Sequence, residues 1–255
     1  ENFQSQVCVC AASTNLAEAK DRAEMGLKMN ETLKFRHEWK HEISYLDMLS
    51  IRQSMMAVAH TDSHAVDGRY EIRSLYFDNL YDKALREKID GVCRREKFRI
   101  RYYNGNTDVI HLEKKSKISG LCNKQSVNLT REQAQSIVDG RTEWMASSQE
   151  KLIMELYSKI KWQGMRPKTI VDYIREPFIY KPGNVRVTLD YNIRTGLRCV
   201  DFLDWDCITI PAGDSRIILE VKWDEYLPDI IKNAVQLKDR RAQAFSKYGI
   251  CRIYG

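Results

Sequence analysis

Between Lys97 and Lys117 the chain reads KFRIRYYNGNTDVIHLEKKSK, with Arg99 and Arg101 two residues apart and Glu113 and Lys115 likewise. In a β-strand, residues two apart share a face, so each pair would project the same way. Guanidinium forks bind phosphate oxygens in bidentate fashion, and ammonium groups act as point charges. Carboxylates among them are oxygen ligands suited to Mg²⁺ or Mn²⁺. The chemistry implied is the holding of a polyanion with a divalent metal.

The same parity recurs along the chain. Arg36, Glu38 and Lys40 share one strand face; His111, Glu113, Lys115 and Lys117 share another. Arg186, Thr188 and Asp190 oppose Val185, Val187 and Leu189, while Glu220 and Lys222 oppose Leu219, Val221 and Trp223. A solvated face explains any one of these strands, because antiparallel sheets often have one wet side. If the sheet closes, the two faces become an inside and an outside, and helices need the apolar outside to cover. An open sheet with helices on one side fits the parity equally well. Two like charges about 4 Å apart repel by about 4 kcal/mol at an effective dielectric near 20, so cations facing one another inside a bore would need an anion.

The elements that must position these residues are short strands alternating with a few helices. FRHEWKHEI, YEIRSLYFDN, LCNKQSVNL, KTIVDYIREPF, NVRVTLDYNI and SRIILEVKW read as strands, and the Asn-Gly pair joins the strands on either side of it, KFRIRYY and TDVIHLEKKSK, into a hairpin. Helices are expected over Leu46–His60, through Leu85 and Arg86, after an N-cap at Thr130 with Gly140 closing, over Ser148–Ile160, and from Pro228. His60 and His64 fall at the end of the first helix on this reading. Trp39, Trp162, Trp205 and Trp223 are expected to pack as a shell.

The chain has 255 residues, a net charge of +6 and 30% charged residues, a composition ordinary for one large globular domain. The charge suits an anionic ligand without the dense basic stripe of a nucleic-acid binder. Aromatics do not alternate with the basic residues as base-stacking platforms would, so RNA is not the expected ligand. Seven cysteines without framework spacing point to a reducing compartment and a cytoplasmic location, and Cys8 and Cys10 lack a second pair for zinc. No apolar run approaches the roughly eighteen residues that span a bilayer, and no secretory leader is evident. Residues 1–34 are set aside as an N-terminal tail: ENFQS resembles a protease-site remnant, and NLAEAKDRAEMGLKM could form a helix. The functional domain is expected over 35–255. P-loop, Ser-His-Asp and kinase patterns are absent, so any ATP must be gripped by its phosphates.

SLYFDN followed by DG, RIRYY, LEKK, RVTLD, LEVK and FSKYG occur in an order that resembles the VTC domain. This is the polyphosphate polymerase module of the vacuolar transporter chaperone, related to the triphosphate tunnel metalloenzymes. The resemblance implies an α+β fold, an antiparallel β tunnel barrel with helices packed outside. It also implies a basic bore that binds ATP, triphosphate or polyphosphate with Mn²⁺ or Mg²⁺. Carried across by motif, Arg99, Arg101, Lys115, Arg186 and Lys247 become the catalytic cations. Arg36, Lys40, Arg175, Lys222 and Ser246 become phosphate-binding residues, and Glu220, Glu38 and Glu113 metal ligands. The first strand keeps only part of the superfamily's E-x-E-x-K pattern, since Arg36 stands where its first glutamate would be. That departure favours polymerisation over hydrolysis. Triphosphate hydrolysis in the same bore and non-catalytic polyphosphate binding are the alternatives.

Overall fold

The computed structural model describes residues 35–118, 120–236 and 245–253, and the N-terminal tail lies outside them. Strand β1 (His37–Ile43) leads into helix α1 (Tyr45–Val58), the short β2 (His60–Thr61), β3 (Tyr70–Asp78) and helix α2 (Lys83–Ile89). The hairpin β4 (Arg94–Tyr103) and β5 (Asn106–Ile118) follows, then β6 (Leu121–Leu129), helix α3 (Arg131–Val138) and helix α4 (Lys151–Gln163). The chain continues through β7 (Arg166–Tyr180), β8 (Val185–Thr195), the short β9 (Ile210–Pro211), β10 (Ile217–Trp223), helix α5 (Asp229–Ala234) and helix α6 (Lys247–Ile253).

Local chemistry sets these boundaries. Asn104 and Gly105 both take positive φ, 52° and 68°, as the tight turn between β4 and β5 requires. Ser44 with Asp47, and Thr130 with Gln133, form reciprocal capping boxes that start α1 and α3. The first helix nevertheless ends at Val58, which places His60 in β2 instead of at a helix terminus. Helix α4 starts at Lys151, not Ser148, because residues Glu143–Ser147 already form a 3₁₀ turn, and Gly164 in the left-handed region ends it. Trp162, at the end of α4, is 86% exposed and so does not join the packed shell, whereas Trp39 meets Trp223 edge to face.

The strands of the described residues form one ten-stranded sheet in the order β1-β10-β8-β7-β3-β4-β5-β6, with β2 and β9 added beside β7 and β8. Register shifts in the β3–β7, β4–β5 and β7–β8 pairs bend the sheet. The bending brings its two end strands together. They meet at one antiparallel bridge, where Arg36 and Cys122 exchange backbone hydrogen bonds of 3.1 and 3.4 Å. The expected barrel is therefore a strongly curved sheet pinned edge to edge at a single point. Side chains occupy the rest of the seam: Glu38 of β1 accepts from Lys115 of β5 at 2.8 Å and from the Cys122 thiol at 3.2 Å.

The outer face carries two apolar clusters. Leu75, Phe77, Phe98, Ile100 and Leu112 pack beneath α3 and α4, while Val187, Leu189, Leu219, Val221 and Trp223 pack with α1 and α5. The inner face is not uniformly charged. Tyr70, Ile72, Tyr76, Val171, Tyr173 and Ile218 form a third cluster that receives Tyr248 and Cys251 of α6, so the last helix lies against the inside of the sheet. No helix among the described residues is long and apolar enough to cross a membrane.

Leu219 is fully buried beneath α1, one residue before an inward carboxylate. Leu219→Ala is expected to lower stability by about 2–5 kcal/mol, read as a lower urea midpoint with an unchanged m-value.

Candidate functional site

Contacts between strands that are not neighbours show where the charged faces point. Lys115 of β5 reaches Glu38 of β1; Arg101 of β4 donates to the Tyr173 hydroxyl of β7 at 3.0 Å; Arg175 of β7 donates to Glu220 of β10 at 3.0 Å. Such pairings require the sheet to curl around these side chains. The polar interior divides into three linked groups.

The first is built on the β4–β5 hairpin. Glu113 receives Arg99 at 2.6 Å and Lys124 of β6, with Arg101 3.9 Å away. Arg99 also donates to Tyr76 Oη at 2.7 Å, and Arg101 to Ser74 Oγ at 2.8 Å. Burial alone would raise the Glu113 pKa, but Arg99, Arg101 and Lys124 outweigh it and hold the carboxyl well below its usual range. Glu113 is thus held as an anion, hydrogen-bonded to Arg99 and beside Arg101.

The second group spans β1 and β10. Lys40 lies 2.9 Å from Glu38 and 3.5 Å from Glu220, and Lys222 lies 2.9 Å from Glu220. Burial opposes ionisation of Glu220, yet Lys222, Lys40 and Arg175 keep it well below the ordinary carboxylate value. Lys222 is depressed to about 8 by burial, against the attraction of Glu220 and with repulsion from Lys115.

The third group lies beside α6. Asp190, fully buried, is held by both forks of Arg175 at 2.7 Å and by Lys247 at 2.5 Å. Burial would raise the Asp190 pKa, but these two cations pull it down to about 2.

Arg36 and Arg186 stand apart from these groups. Arg36 pairs with Asp224 at 2.8 Å, and Arg186 with Asp62 at 3.2 Å, each with partly exposed side chains. Ser246 accepts from Lys97 at 2.8 Å. Sequence parity passed over Lys97, Lys124, Tyr76 and Tyr173 as site residues. Lys97 was legible in principle, being two residues before Arg99 and therefore on its face; the tyrosines were not, because an aromatic residue on a strand suits core and site alike.

The donor set decides whether the site suits a divalent metal. Among the described residues no three His, Cys, Asp or Glu side chains gather as ligands. The carboxyl groups of Glu38 and Glu220 lie within hydrogen-bonding reach of each other, and neighbouring Thr188 Oγ1 is buried without a partner. Two carboxylates with a nearby oxygen fit Mg²⁺ or Mn²⁺, which take their remaining ligands from water and phosphate. Glu113 sits with the arginines instead, away from this pair.

These features define an α+β protein whose curved antiparallel sheet turns a basic, carboxylate-studded face inward around its C-terminal helix. The VTC domain model matches residues 35–254, and the chain belongs to the VTC domain family. No curated protein matches it. Among solved structures it is similar to the PH1819 protein of Pyrococcus horikoshii, at 16% identity and a TM-score of 0.38, over 78% of this chain and 84% of that one. It is also similar to the mimivirus capping enzyme triphosphatase, at 10% identity and a TM-score of 0.40, over 86% of this chain and 93% of that one.

Asp190 makes stability depend on pH. Its folded-state pKa of about 2 lies below the unfolded value near 3.9, so the stabilisation is fully present above about pH 4 and is lost as pH falls through about 2. Acid unfolding followed by circular dichroism should show this limb in the wild type. In Asp190→Asn the limb should flatten, on top of a loss of several kcal/mol from leaving Arg175 and Lys247 without their buried partner.

Proposed function

We propose that the chain is a metal-dependent phosphotransferase that passes the γ-phosphoryl group of ATP to the end of a polyphosphate chain inside the curved sheet. The supporting observation is the inward convergence of Lys115, Lys40, Lys222 and Arg175 on Glu38 and Glu220, and of Arg99 and Arg101 on Glu113, in a member of the VTC family. A terminal oxygen of the chain attacks the γ-phosphorus, the bond to the β–γ bridging oxygen breaks, and ADP leaves. No protein nucleophile enters the balance.

Phosphoryl transfer passes through a loose transition state, so catalysis is mainly positioning and charge neutralisation. Arg99, oriented by Glu113 and Tyr76, and Arg101, oriented by Ser74 and Tyr173, grip the triphosphate oxygens. Lys115, Lys40 and Lys222 exchange their carboxylate partners for phosphate. Glu38 and Glu220, with Thr188 beside them, are the residues that would hold Mg²⁺ or Mn²⁺; when bound, the ion neutralises phosphate charge. Arg175 and Lys247 are fixed by Asp190 and, with Ser246, steady the distal end of the chain. Arg36 and Arg186, partly exposed and paired with Asp224 and Asp62, add positive charge that attracts phosphate.

Hydrolysis of triphosphate is the second reading, favoured by the retention of Glu38 and Lys40 from the superfamily's first-strand motif. Purified protein incubated with ATP and Mn²⁺ should make long, exopolyphosphatase-sensitive chains. Free phosphate as the sole product would instead establish hydrolysis, and tight polyphosphate binding without turnover would establish a binding module. In the productive case Arg101→Ala should lower kcat by about 10²–10³, the loss that follows removal of one preorganised donor to a developing charge.

A further inference from the structure

Lys97 is an inward lysine with no part in the transfer just described. It lies on β4 two residues before Arg99, in register with Lys115 of β5, and its ammonium donates to Ser246 Oγ just ahead of α6. It also sits 5.7 Å from the ring of Tyr248 on that helix. We propose that Lys97 is a further phosphate-binding residue, one that joins the bound phosphate chain to α6 through Ser246. The proposal deepens the reading of this site as a phosphate-binding interior and rests on it.

The charges facing Lys97 point to a ligand. From β1 comes Lys40, engaged with Glu38; from β5 come Lys115 and Lys117; from α2 comes Lys88; Arg95 and Arg99 flank it on β4; and α6 presents the aromatic Tyr248, whose hydroxyl is turned to Asp78. Glu38 is already shared between Lys40 and Lys115, Glu113 is engaged by Arg99, and Ser246, the acceptor for Lys97 itself, is neutral. Lys97 thus meets several cations while its own hydrogen-bond partner is neutral, a position eased when it gives up its proton or when an anion arrives. Burial, followed by repulsion from Lys40, Lys115, Lys88 and Arg95, lowers the Lys97 pKa to about 7. At pH 8 the empty site therefore holds Lys97 mostly neutral. A phosphate oxygen brought against it favours the ammonium, so binding draws in a proton.

The experiment is calorimetric titration of the full chain with tripolyphosphate at pH 8, repeated in buffers of different ionisation enthalpy. The slope of heat against buffer enthalpy counts protons taken up. Wild type should take up close to one proton more than Lys97→Arg, whose guanidinium is already charged, while the arginine variant keeps its affinity within a few-fold. Lys97→Met should lose both the proton and at least tenfold in affinity, with its thermal midpoint confirming that it remains folded. Equal proton uptake in wild type and Lys97→Arg would overturn the proposal and assign the proton to another group such as Lys222. Tripolyphosphate that fails to bind wild type would sink the phosphate-binding reading together with this one, so the two failures are distinguishable.

Discussion

Like charges cannot be gathered inside a protein without partners, and this constraint organises the molecule. Arg99, Arg101, Lys124, Lys115, Lys40, Lys222, Arg175 and Lys247 all turn inward, and the carboxylates that meet them are Glu113, Glu38, Glu220 and Asp190. Each carboxylate serves at least two cations. That ratio keeps the interior ionised and folded, yet leaves uncompensated positive charge for an anion. A buried ion pair contributes little net stability by itself, because desolvation opposes the Coulomb gain. The apolar layer outside must therefore stabilise the sheet, which is why helices cover the outer face of both halves.

The inner face is itself divided. Where α6 lies against it, Tyr76, Tyr173, Ile72 and Ile218 form an apolar contact with Tyr248 and Cys251; the charged groups occupy the remainder. The aromatic residues at the boundary belong to both regions. Tyr76 stacks on Tyr248 with ring centroids 5.1 Å apart while its hydroxyl accepts from Arg99, and the Tyr173 ring lies 4.5 Å from the Lys247 ammonium while its hydroxyl accepts from Arg101. Packing on one side thus fixes the direction of guanidinium groups on the other. A phosphate meeting Arg99 and Arg101 meets donors whose orientation has already been set.

Period-two alternation made most of this architecture legible in the sequence. It located β1, β3 to β8 and β10, and placed Arg99, Arg101, Glu113, Lys115, Glu220 and Lys222 on polar faces, because alternation is imposed by the backbone and survives any tertiary detail. Helix ends were less legible: α1 stops at Val58 short of His60, α4 starts after a 3₁₀ turn instead of at Ser148, and α5 ends at Ala234. The curl of the sheet was not legible at all from parity, since an open and a curved sheet present the same pattern. Nor could alternation show that the inner faces of β3 and β7 carry tyrosines shared between core and site. An aromatic residue on a strand is an ambiguous sign until the partner across the interior is known.

The same charges meet at the single bridge between Arg36 and Cys122. Backbone pairing between the two end strands goes no further among the described residues. Instead Glu38 bridges the gap with its side chain, accepting from Lys115 and the Cys122 thiol while contacting Lys40 on its own strand. The residue that closes the sheet is thereby one of the two carboxylates suited to a metal. On the proposed reading Glu38 and Glu220 would hold the divalent ion, and the same Glu38 carboxylate accepts from Lys115 across the seam, so the closure of the sheet and the proposed metal site share one side chain.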